Sequence, residues 1–158
     1  MGKANKDYVG VKGWLLLLCV SMTILTPLTG LTTLMAVSDA LKPHFDKDPA
    51  LFKLLLISGI CNICLLVYSM YAGVSLWRVG PNAVLSAKRY LVVLFHYSFL
   101  SIFLPQLVGL SEETQTEIYK TSPIFNLIVM LEACMWYLYL RKSKRVKATY
   151  GEDRSASS

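Results

Sequence analysis

Glu132 is the residue whose type and place most directly suggest chemistry. It is the one acidic side chain deep inside a long apolar stretch, nine residues before the basic run that begins at Arg141, or ~13 Å along a helix. A charge at that depth costs ~2.5–3.5 kcal/mol on insertion scales, so such a residue is expected to turn inward, pair or stay neutral. His96, seven residues from Arg89, stands at ~10 Å and is the best candidate partner. Tyr97, Ser69 and Ser21, counted from their own basic flanks, fall at ~12–13 Å. The four make with Glu132 a candidate polar layer that handles a proton or a small ligand. The competing reading is a set of interhelical hydrogen bonds, worth ~0.6 kcal/mol each, that only hold a bundle together. Asn62 and Asn126 form a candidate upper pair, each fifteen residues from its flank, at ~22 Å.

These residues sit on four apolar stretches, Gly13–Val37, Leu54–Trp77, Tyr90–Leu110 and Ile124–Leu140. A bilayer core takes roughly 20 apolar residues per helix. The reading is an all-α, antiparallel four-transmembrane-helix bundle as one domain over 1–150, then a polar tail over 151–158. Residues 38–53 and 111–123 join spans as outer loops. Within the second, Ser111 caps a helix start, and Pro123 opens span four at a position helices tolerate. Of 158 residues, 54% are hydrophobic and 16% charged, which leaves too little polar chain for a soluble catalytic domain. The first stretch is longer than the ~7–15 residues of a signal-peptide core and reads as an uncleaved helix.

Charge sets the expected orientation. Lys3, Lys6, Lys12, Arg78, Lys88, Arg89, Arg141, Lys142, Lys144, Arg145, Lys147 and Arg154 fall on one side, twelve of the sixteen basic residues. Lys42, Lys47, Lys53 and Lys120 lie on the other, mixed with acids. Basic residues resist translocation, so both termini are expected in the cytoplasm. The net charge of +6 thus speaks for a membrane surface and against nucleic acid. The run Arg141, Lys142, Lys144, Arg145 and Lys147 is placed to touch anionic lipid headgroups. Trp14, Trp77, Tyr90, Trp136, Tyr137 and Tyr139 mark the same boundary as an aromatic belt.

Pro27 is a candidate hinge. It removes a backbone donor within span one, and Thr23, one turn earlier, is placed to serve the carbonyl left bare. The four cysteines, Cys19, Cys61, Cys64 and Cys134, all fall inside spans. Cys61 and Cys64 make a CxxC, but the second cysteine pair that membrane thiol oxidoreductases carry in a loop is absent. Two histidines, His44 and His96, are too few for a histidine metal site. No phosphate-cradling glycine loop or nucleophile elbow appears. No cofactor is expected.

Three segments resemble a known family. Gly10-Val11-Lys12-Gly13-Trp14-Leu15 is similar to the opening of the YdgK-like family of small bacterial inner-membrane proteins, a domain of unknown function. Trp136-Tyr137-Leu138-Tyr139-Leu140, then Ser143-Lys144-Arg145-Val146-Lys147-Ala148-Thr149-Tyr150, resembles its ending, and Trp77-Arg78 with Pro81 resembles its middle junction. Lys12 departs from the pattern, as do Tyr137 and Leu138 where Ile-Pro is usual. The resemblance covers about residues 10–150 and implies a four-helix inner-membrane protein without an assigned activity. The function expected is that of a non-enzymatic accessory or interaction protein. Its partners would be the lipid bilayer and, through the spans, another membrane protein or further copies of itself. The alternatives are an oligomeric small-molecule or proton-linked transporter using Glu132 and His96, and a thiol oxidoreductase using Cys61 and Cys64.

Overall fold

A computed structural model describes residues 10–42, 45, 49–80 and 82–151. Six α-helices and one π-helical turn follow in order: α1 (Trp14–Val20), the turn (Ser21–Leu25), α2 (Thr26–Leu41), α3 (Ala50–Trp77), α4 (Ala83–Val108), α5 (Glu112–Lys142) and α6 (Lys144–Tyr150). Four stretches are long and apolar enough to cross a membrane: Trp14–Asp39, Ala50–Trp77, Ala83–Val108 and Pro123–Lys142. The protein is an all-α four-helix membrane bundle. His44, Pro43, Pro81, Lys3, Lys6 and the tail beyond Gly151 lie outside the described residues.

Two expected boundaries move. The third helix begins at Ala83, not Tyr90, so Lys88 and Arg89 lie on its first two turns. The second outer loop is mostly helix. Ser111 caps α5 as expected, its hydroxyl accepting the Thr114 N–H at 3.4 Å, but the helix then runs on through Pro123. In the turns before Pro123 the Gln115 amide donates to the Leu110 carbonyl and the Thr116 hydroxyl to the Glu112 carbonyl. Pro105 also lies within a helix, and α4 ends four residues later at left-handed Gly109.

The helices pack in sequence: α2 and the π turn on α3, α3 on α4, and α4 on α5. The main buried cluster lies toward the basic end, with Leu51 and Leu110 buried separately at the other. Leu15, Leu18, Leu76, Ala87, Leu140 and Val146 are all within 1% of full burial. Toward the opposite end Leu28, Met35, Ile60, Leu107, Ile124 and Leu127 are exposed, an apolar surface suited to lipid.

Small residues set how closely the first span approaches α3. A Cβ on Gly73 would stand 2.5 Å from Thr23 Cγ2 and 3.2 Å from the Thr23 backbone nitrogen. Thr23 is stiff at χ1, and its hydroxyl is tied to the Cys19 carbonyl at 2.7 Å, so it has little freedom to yield. On Gly59 a Cβ meets only Leu34 Cδ1, at 3.6 Å. Gly73→Ala is therefore expected to destabilise the bundle by ~1–3 kcal/mol in thermal unfolding in detergent, and Gly59→Ala to leave the midpoint nearly unchanged. Equal midpoints for the two variants would contradict this packing.

Candidate functional site

The site starts from a missing proton. In the π turn the Thr26 N–H bonds back five residues to the Ser21 carbonyl. The next carbonyl, that of Met22, would be served by residue 27, which is a proline without an N–H. The Ser69 hydroxyl, fully buried on α3, donates to it at 2.9 Å. From sequence alone, the bare carbonyl falls at Thr23, with the threonine hydroxyls placed to serve it. That is corrected: the π register moves the vacancy by one residue, and the Thr23 hydroxyl donates to Cys19 instead.

Ser69 also faces the next helix. Tyr90 of α4 is buried to 2% exposure, with its phenol near Ser69 and within the electrostatic reach of Glu132 on α5. Its ring meets Tyr68 edge to face, with centroids 5.8 Å apart. Tyr90 was placed in the aromatic belt, and Trp136 with it. Both are buried and belong to the core, whereas Trp14 and Trp77 remain exposed.

Glu132 is exposed, not turned inward. Its carboxylate accepts the Trp136 indole N–H at 3.3 Å, one turn along the same helix. Trp136 in turn meets Trp14, with centroids 6.4 Å apart. Among the described residues no cation pairs with Glu132. The first span and α5 thus touch at the two tryptophans, and Glu132 stands one turn above that contact.

The expected layer is therefore only partly assembled. Ser69 and Glu132 both lie near Tyr90 but bond elsewhere, Ser69 to the Met22 carbonyl and Glu132 to the Trp136 indole. Ser21 opens the π turn, half-buried. His96 is not the partner of Glu132. It is exposed, its Nδ1 lies 2.8 Å from the Val92 carbonyl, and it lines an apolar groove with Cys134. Cys134 and Glu132 are ~200° apart around α5. Tyr97 belongs with Asn62, whose amide donates to the Tyr97 hydroxyl at 2.9 Å and to the Ser58 carbonyl at 2.8 Å. The expected Asn62–Asn126 pair would join α3 to α5, and α4 stands between them. Asn126 has a polar interaction of its own. The four cysteines are unbridged, and no cluster fit to hold a metal occurs among the described residues.

At the basic end α6 folds back as a latch. The Ser143 hydroxyl caps it by accepting the Val146 N–H at 3.4 Å. Val146 enters the core at 1% exposure. The Gly10 N–H donates to Thr149 Oγ1 at 3.1 Å, and the Tyr150 hydroxyl donates to the Leu76 carbonyl at 2.7 Å. Of the basic run, Arg141, Lys142, Lys144 and Lys147 are exposed, whereas Arg145 is half-buried and its guanidinium lies close to Gly13.

The model of the family described as "protein of unknown function (DUF2569)" matches residues 8–151. The chain belongs to this family. The DUF2569 match begins beside Gly10 and ends beside Tyr150, the two segments that the latch brings together. No curated protein and no solved structure matches the chain.

Two outcomes follow from these bonds. Ser69→Ala leaves the Met22 carbonyl bare, at a cost of ~1–3 kcal/mol. In a Pro27→Ala background residue 27 has an N–H again, so the same substitution is expected to cost at least ~1 kcal/mol less in a double-mutant cycle. An unchanged cost would break the link between Pro27 and Ser69. Burial pushes the Tyr150 phenol above its usual value near 10, with smaller contributions from Cys19 and Tyr139. Because the folded value is the higher one, its share of stability is complete below pH ~10 and is lost as pH rises further. Hydrogen exchange of α6 is expected to speed up above pH ~10 in the wild type beyond its intrinsic rise, and not in Tyr150→Phe.

Proposed function

We propose that this protein is a non-enzymatic accessory protein of a bacterial inner membrane. It associates through its spans with another membrane protein or with a second copy of itself. The observation that carries the reading is Glu132: an ionisable residue within a span, exposed on the bundle surface, with a tryptophan indole as its hydrogen-bond donor. Lipid chains offer it nothing, and an intramembrane carboxyl facing hydrocarbon costs several kcal/mol less when a protein surface covers it. The short contact between the first span and α5 leaves the seam above the tryptophans for such a surface. The distribution of lysine and arginine supports cytoplasmic termini. A transporter built on Glu132 and His96 would need them in one place, and they stand on different sides of the α4–α5 contact.

Photoreactive residues test this. Ile128 and Met135, 57% and 54% exposed, flank Glu132 on its own helix face at one turn's distance. Val67 on α3, 63% exposed, is the control. In native membranes positions 128 and 135 are expected to give a discrete protein adduct, position 67 none, and Glu132→Ala to lower the yield several-fold. Adducts to lipid alone, or yields indifferent to Glu132→Ala, would overturn the reading.

A further inference from the structure

A second surface feature lies on the other side of α5 and does not depend on the association at Glu132. A hollow of about 400 Å³ opens at the basic end of α4, lined by Tyr68, Lys88, Arg89, Val93 and Tyr137. Val92 and Tyr137 also line a second hollow of about 260 Å³, farther along α4 and α5, whose other walls include Phe95, Ala133, Cys134 and Leu138. Val92 and Tyr137 form a wall common to the two hollows, which together make up the groove. Two cations stand on adjacent residues at its mouth, and no acidic side chain lines either part. The walls turn almost wholly apolar by Phe95, seven residues from Lys88, or ~10 Å deeper.

We propose that this groove is a binding site for one anionic phospholipid. Its phosphate would sit against Lys88 and Arg89, and an acyl chain would run past Val92 to Phe95 and Cys134. The charge pattern selects this occupant. Arginine presents a planar fork of donors that fits phosphate oxygens, and the tyrosines at the mouth carry phenolic donors. A site that is cationic at the membrane boundary and hydrocarbon below it matches an amphiphile with a negative head and an apolar tail. Basic hollows between membrane helices hold such headgroups. The exposed basic residues after α5 offer charge without a groove and so bind lipid only as a surface.

The test is native mass spectrometry of the full-length protein, released from detergent with phosphatidylglycerol or phosphatidylcholine at equal concentration. The wild type is expected to retain phosphatidylglycerol and to shed phosphatidylcholine. Arg89→Gln, at an exposed position that leaves the fold intact, is expected to lower phosphatidylglycerol retention by about 5-fold. Lys144→Gln, of equal charge change but outside the groove, is expected to leave it unchanged. Val92→Trp fills the shared wall without altering charge and is expected to lower retention as well. If Val92→Trp fails to fold, the comparison of Arg89→Gln with Lys144→Gln decides. Equal retention of the two lipids, or equal effects of those two charge substitutions, would overturn the proposal.

Discussion

The proton that Pro27 cannot donate is the constraint on which the rest of the bundle depends. In water a bare carbonyl would find a solvent partner. Inside a bilayer it must find one in the protein. The π turn places the vacancy at Met22, and Ser69 reaches it from α3. That reach requires α3 to lie very close, and Gly73, one turn beyond Ser69, leaves the room. One substituted backbone bond thus registers the first two spans against each other. Farther along α3, the Asn62 amide donates to the Tyr97 hydroxyl and ties α3 to α4.

The main buried cluster also has a preferred end. The latch of α6 adds a fifth layer at the basic end and joins both ends of the family match to the base of α3. The opposite end has no such element, and its helices present leucine and isoleucine outward. A bilayer tolerates that surface because lipid is as apolar as the side chains, so no hydrophobic force drives those faces together. Polar groups decide where such helices meet. On this bundle's surface Glu132 is the acidic group within a span, and it faces outward.

How much of this the sequence discloses depends on which physical signal carries it. Hydropathy and the basic flanks show the four spans, because the length of an apolar helix is fixed by bilayer thickness. Depth counted from a flank is only as good as the flank. Taking the third span from Tyr90 misplaces its zero by seven residues, ~10 Å. Counted from Ala83, Tyr97 is fourteen residues in and Tyr90 seven, which matches Asn62 and Ser69, fifteen and eight residues before Trp77. Those are the pairs the structure brings together. Tyr90 was hidden because an aromatic near a boundary normally lies in the interface. The π turn has no sequence signal beyond Pro27 itself, since a proline is equally compatible with a simple kink. The latch was visible as a motif at each end of the chain, but nothing in linear order shows that Gly10 and Thr149 meet.

The proposed contact of Glu132 with another polypeptide inside the membrane has a direct physical consequence. The most direct measurement is the mass of the particle carved from its own membrane by a polymer, without detergent, compared for wild type and Glu132→Ala. The contact predicts a wild-type particle heavier than the 17.7 kDa chain by at least one further polypeptide, and a Glu132→Ala particle that has lost it. A single chain with lipid alone in both samples would contradict it.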